Sequence, residues 1–134
     1  MPDSPHRLTE TLRAMKALAD PTRLRLVALL SHGELNVSEL CRVLEQSQPR
    51  VSRHLRLLTE AGYLDRSRAQ QCVYYRIPAA GARIGWTRTL LSALDAEDPA
   101  LRRDWGRRAV VVAERLRKGP QLAAPGQRPA AERA

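Results

Sequence analysis

The chain has 134 residues, 43% of them hydrophobic, with three Tyr, two Trp and no Phe, so one modest core built from Leu, Val and Ala is expected, which favours helices. The formal charge is +9 and the sequence pI about 10.9, which points towards a polyanionic partner, nucleic acid or an anionic membrane surface. No stretch approaches the roughly 20 apolar residues needed to span a bilayer, the N-terminal "MPDSPHRLTE" has no signal-peptide core, and two cysteines make no secreted disulfide framework, so a cytoplasmic protein is expected.

The first helix is expected over residues 6–19, with Leu8, Leu12, Met15 and Ala19 at helical spacing. Asp20-Pro21 then gives a cap followed by a first-turn proline, and starts a second helix carrying Leu24, Val27 and Leu30, with Arg23 and Arg25 outside. Gly33 suits the left-handed residue that ends it. Asn36 caps a short third helix, "VSELCRVL". After the turn "EQSQ", Ser47 caps a fourth, in which Pro49 is tolerated because its missing N–H would have no partner in the first turn. Two short helices joined by a tight turn, the second of them basic, form the helix-turn-helix pattern.

Gly62 closes the fourth helix and the period then changes. A strand over 63–67, a polar turn near 69–71 and a strand over 72–77 form a hairpin, with Val73, Tyr75 and Ile77 alternating against Cys72, Tyr74 and Arg76 as in a half-exposed strand. A hairpin after a helix-turn-helix is a wing. Two further helices follow. One lies over 83–94, with Ile84, Leu91 and Leu94 on one side. The other starts at Asp98-Pro99, with Leu101, Trp105, Ala109, Val112 and Leu116 as its apolar side and Arg102, Arg103, Arg107 and Arg108 as a solvated outer face. Gly119-Pro120 stops it. The fold class expected is mainly α with a β-hairpin, a winged helix-turn-helix occupying residues 1–118, and 119–134 form a Pro/Ala/Gly-rich tail too poor in large apolar groups to fold alone.

With Val51 at the centre of the buried face of the fourth helix, Leu55 and Leu58 fall beside it. Pro49, Ser52, Arg53 and Arg56 then point away, with Gln48 on one flank and Arg50 and His54 on the other. Ser47, Gln48, Arg50, Ser52, Arg53, His54 and Arg56 are therefore candidate contacts to base edges or phosphates, and no acid interrupts them before Glu60. On the wing, Arg66 and Arg68 precede the tip, which holds Gln70 and Gln71. For His54 alone, packing beside the core leucines is the stronger expectation. No paired carboxylates, Ser/His/Asp set or metal-hydrolase constellation occurs, so neither an enzyme nor a cofactor is expected.

The stretches "ALADPTRLRLVALL", "VSELCRVLEQSQPRVSRHLRLLTEAGYLDRSR" and "VYYRI" resemble the ArsR family of bacterial winged-helix transcription regulators, over roughly residues 15–78. The resemblance implies a homodimeric repressor, joined through the first and C-terminal helices. Its recognition helices would enter successive major grooves of an inverted-repeat operator, and an inducer would release it. It also implies recognition-helix roles for Gln48, Arg50, Ser52, Arg53 and His54. The family's arsenic site carries Cys-x-Cys within "ELCVC". Here the sequence is "ELCRV", with Cys41 at the first position and Val43 at the second, and no histidine follows His54, while His6 and His32 are isolated. No metal site is expected, since soft ions need two to four thiolates. Cys41 and Cys72 could form a redox pair, although two unrelated thiols is the plainer reading. The stretches "QSQPRVSRHL" and "LLSALDAEDPALRRD" also resemble the regulator portion of family members fused to a methyltransferase, which suggests an adenosyl compound as inducer. Two alternatives stay open: a thiol-redox regulator that senses an oxidant, and an anti-regulator that binds a protein partner.

Overall fold

The computed structural model describes residues 7–118; the expected helix start at His6, the stop at Gly119-Pro120 and the tail 119–134 lie outside them. The elements run α1 (Leu8–Leu18), α2 (Pro21–Leu30), β1 (Leu35–Asn36), α3 (Val37–Leu44), α4 (Gln48–Glu60), β2 (Asp65–Ala69), β3 (Cys72–Arg76), α5 (Ile84–Ala93) and α6 (Pro99–Lys118).

The helix starts are set by local chemistry. The Asp20 carboxylate accepts the N–H groups of Thr22 and Arg23 at 2.9 and 3.1 Å, and Pro21 occupies the first turn of α2. Asn36 and Glu39 form a reciprocal capping box on α3. Ser47 accepts the Arg50 N–H on α4. Glu45, at φ 57°, makes the left-handed turn between α3 and α4. Gly62, at φ 89°, turns the chain out of α4 into the hairpin, and a Cβ there would lie 3.2 Å from the Arg83 side chain.

The core gathers Leu26, Val27 and Leu30 of α2, Leu40 and Val43 of α3, and Val51, Leu55 and Leu58 of α4, with Leu35, Tyr63 and Leu64. The hairpin is antiparallel, pairing Asp65 with Arg76 through to Ala69 with Cys72, and Gln70 opens its two-residue turn at φ 58°. A short strand missed from the sequence, β1, adds to the other edge of β3 and gives the order β1-β3-β2.

Two expectations fail, for one reason. Tyr74 was expected on an open face of the hairpin, yet both Tyr74 and Tyr75 are buried, and Arg115 of α6 stacks on the Tyr74 ring at 5.9 Å. Helix α6 lies against α2 and α3 with a face turned about a quarter of a turn from the one expected, so that of the expected stripe only Leu101 and Val112 are half-buried. Its inward stripe is Asp104, Arg108, Val111 and Arg115, spaced four, three and four residues apart, while Trp105, Ala109 and Leu116 remain exposed.

Arg107 and Arg108 are therefore not a solvated outer face. Arg108 donates to the carbonyls of Leu29 and Gly33, both at 3.2 Å, and packs on Trp105. Arg107 donates to Val43 O and pairs with Glu45. Arg25, expected outside, is bound to Asp104 instead. Arg115 reaches both oxygens of Glu39, at 2.7 and 3.2 Å, and Arg42 pairs with Glu114. Long arginine stems cover apolar surface while their planar heads find carboxylates and carbonyls, so an arginine-rich stripe can face inward.

On α1, Leu8, Leu12 and Met15, read at helical spacing, are 75%, 47% and 52% exposed, and Ala14 and Leu18 are the buried residues.

Candidate nucleic-acid interface

Helix α4 carries one apolar stripe, and it faces inward completely: Val51, Leu55 and Leu58 are all 0% exposed. With that stripe fixed, the helical period turns Gln48, Arg50, Arg53 and Arg56 to solvent, as expected, while Ser52 and His54 are half-buried on the flanks. The exposed Ser47 caps the N-terminus, where unpaired N–H groups and the helix dipole favour an anion.

The hairpin supplies a second basic ridge. Arg66 and Arg68 are two residues apart on β2, hence on one face, and both are exposed, as is Gln70 at the tip. Among the described residues, Arg50, Arg53, Arg56, Arg66 and Arg68 form no ion pair, whereas Arg25, Arg42, Arg107 and Arg115 each hold a carboxylate. One set of arginines thus ties elements of the protomer together, while those of α4 and β2 present charge that no carboxylate neutralises.

His54 belongs to the first set in its geometry. Its Nδ1 lies 3.2 Å from Arg23 Nη1, which donates to it, and 3.9 Å from Asp20 Oδ2. Burial holds the His54 imidazole below its ordinary pKa; Asp20 opposes that shift, and Arg23, Arg53 and Arg50 add to it. An acceptor Nδ1 and a lowered pKa agree on a neutral ring. Burial pushes the Asp20 carboxyl upward, but the Arg23 and Thr22 N–H groups and the charges of His54 and Arg23 outweigh it and leave its pKa lowered. Arg23 also donates to Ala17 O at 2.6 Å, so it ties the end of α1 to α4. Sequence reasoning missed Arg23 in this role, because its partners are helix-end carbonyls that carry no residue signature.

Cys41 and Cys72 are free thiols that line one groove together with Arg42, Gln48 and Gln71, beside the start of α4 and the wing tip. Burial raises the Cys41 thiol above its ordinary pKa. No group of three or more His, Cys, Asp or Glu side chains able to hold a metal occurs among the described residues. No helix among them is long and apolar enough to cross a membrane.

A family model described as "Bacterial regulatory protein, arsR family" matches residues 20–66, which run from the α2 cap to the first arginine of the wing. The arsenical resistance operon repressor of Escherichia coli K12 is 50% identical over 78 residues, covering 54% of this chain and 67% of that one. The transcriptional repressor BigR of Xylella fastidiosa superposes with a TM-score of 0.59 at 31% identity, over 67% of this chain and 88% of that one. The homodimeric winged helix-turn-helix DNA-binding domain Mb0332 of Mycobacterium bovis gives a TM-score of 0.56 at 25% identity, over 84% of this chain and 86% of that one.

Proposed function

The chain belongs to the ArsR family of bacterial regulatory proteins, and from that membership we infer how this DNA-binding transcriptional repressor meets its operator. The family is one of homodimeric regulators, not of enzymes. We propose that α4 enters the major groove, with Gln48, Arg50, Ser52 and Arg53 at base edges and Ser47 and Arg56 at flanking phosphates. Arg66, Arg68 and Gln70 of the wing follow the adjacent backbone. The observation that carries this reading is the set of α4 and β2 arginines left without acid partners while the arginines behind them are paired. In this reading His54 acts from behind, holding α4 on the α2 cap through Arg23 and Asp20.

The dimer would form through α1 and α5. Leu8, Leu12 and Met15 are exposed on α1, and the groove next to Met15 is lined by Trp86, Thr89, Leu90 and Ala93 of α5. A two-fold interface of this kind presents two α4 helices, so the operator is an inverted repeat. The cytoplasm is the compartment in which such a protein would meet DNA.

An inducer that releases the operator is part of the proposal. A soft metal at the family's third-helix position has little support, because Val43, at the second thiol position, is 0% exposed and packed in the core. The raised Cys41 pKa leaves little thiolate, which weakens the oxidant-sensing alternative. Fluorescence anisotropy on a duplex selected from a random library tests the reading. Tight binding should weaken steeply with salt, and Arg53→Ala should cost about 1–3 kcal/mol. Unchanged affinity in that variant would remove α4 from the interface.

A further inference from the structure

Where α2 and α5 end and α6 begins, the three helices line an open-mouthed cavity of about 660 Å³. Small organic ligands occupy cavities of roughly 300–1,000 Å³. The walls are mainly aliphatic, from Ala28, Leu91, Leu94 and Leu101, and one edge is the half-exposed indole of Trp105. His32 lies against that indole with ring centres 4.2 Å apart.

The charges in the wall are already matched. Arg25 is held by Asp104 and Arg102 by Glu97. Arg102 and Glu97 are exposed at the rim, but in the interior a charged ligand would have to break the buried Arg25–Asp104 pair or bring its own charge in without a partner, and both are costly. An uncharged aromatic molecule meets aliphatic walls and one ring on which to stack.

Gly106 is an exposed residue of the same wall. It lies within α6, where glycine weakens a helix relative to alanine, and a Cβ built on it would meet nothing within 4 Å. No neighbour in the protomer needs the side chain to be missing. Gly106 lines the cavity, and a side chain added there would have room beside its mouth.

We propose that this cavity binds an uncharged, planar aromatic small molecule and that its occupancy lowers operator affinity through α6; the second half rests on the repressor reading. The route is continuous. Asp104 and Trp105 form the wall, and one to three turns further along the same helix, Arg107 holds Glu45 and Val43 O, Glu114 holds Arg42, and Arg115 holds Glu39. All of these partners belong to α3 or to the turn that leads into α4. A ligand wedged under the start of α6 shifts the element to which the first helix of the helix-turn-helix is bound, and a ligand with unequal affinity for two such states shifts their balance.

The test uses N-phenyl-1-naphthylamine, an uncharged aromatic fluorophore, titrated into the full-length protein. Saturable, blue-shifted emission at one probe per chain is expected. Gly106→Leu adds bulk at the cavity wall while placing a better helix former in α6, so it should keep the dimer and its melting temperature. It should also lose at least about tenfold in probe affinity, whereas Gly106→Ala should keep most of it. Equal probe binding by wild type and Gly106→Leu would overturn the site. In the second arm, saturating probe should weaken wild-type binding to a selected duplex several-fold and leave Gly106→Leu unaffected; no change in the wild type would overturn the coupling. If no duplex can be selected, the repressor reading fails and the coupling with it, while the titration judges the cavity by itself.

Discussion

Asp104 of α6 receives two hydrogen bonds from Arg25 of α2, at 2.7 and 2.8 Å, in a fork-to-fork pair whose carboxylate is 2% exposed. The bond to Asp104 raises the Arg25 pKa, so the guanidinium remains charged even though half-buried. Asp104→Ala would strand that charge. Breaking one side of a buried pair costs about 3–5 kcal/mol. A fall in melting temperature of more than about 10 °C is expected by calorimetry. The double change Arg25→Met with Asp104→Leu, which removes both charges, should recover most of the loss.

The wing arginines should act on DNA without reading it. Arg66→Ala and Arg68→Ala are each expected to weaken binding to specific and random duplexes alike and to lower the salt dependence of log K by about one. Anisotropy titrations between low and high salt measure both. A loss confined to the specific duplex would instead make the wing a reader of bases.

Met15 sits in the middle of the exposed α1 stripe, at the edge of the α5 groove. Met15→Glu puts a charge into the proposed two-fold interface. Light scattering should show a monomer where the wild type is a dimer, with operator binding lost and the circular dichroism of the protomer retained. A dimer that survives this change forms elsewhere.

The acid limb of stability should carry the signature of His54. Its folded pKa lies below the unfolded value of about 6.5, so the native state binds fewer protons than the unfolded chain in that interval. Stability therefore falls as pH drops from above 6.5 through the folded His54 value, and this contribution is flat below it. Asp20, with its pKa lowered, contributes stability at neutral pH that is lost only at pH values below the ordinary carboxylate range. Urea midpoints at pH 7.5, 6.5 and 5.5 should decline in the wild type. In His54→Gln, which retains an acceptor for Arg23 but does not titrate, the decline should be shallower.

Oxidation is expected to leave the DNA interface alone. Cys41 is held mainly as the thiol, and thiolate is the reacting species. Diamide treatment should change operator affinity no more in the wild type than in Cys41→Ser or Cys72→Ser. A loss of affinity seen in the wild type and absent from both variants would establish a thiol switch.

The parts of the fold that were legible in the sequence are those with local causes. Asp20-Pro21, Asn36 with Glu39, and Ser47 with Pro49 each satisfy helix-end N–H groups from within three residues, so their spelling is readable. The outward set of α4 followed from one apolar stripe for the same reason. Helix α6 was not legible, because the face that packs mixes Val111 and Val112 with Asp104, Arg108 and Arg115, so no clean apolar stripe marks it. The partners of Asp104, Arg108 and Arg115 lie more than 70 residues away in the chain, on α2, α3 and the loop after α2. Tyr74 was misread by the same route, since the surface that covers it comes from α6. At His54 the residue type was legible as an inward packer, while its partners Arg23 and Asp20 needed the three-dimensional structure.

The division of the arginines has a consequence at distances well beyond contact. The acids Glu39, Glu45, Asp104 and Glu114 each hold an arginine inside the protomer, whereas Arg50, Arg53, Arg56, Arg66 and Arg68 hold none among the described residues. In a chain of formal charge +9, these free cations of α4 and β2 attract a duplex before any contact is made. Raising the ionic strength should therefore slow association as well as weaken the finished complex.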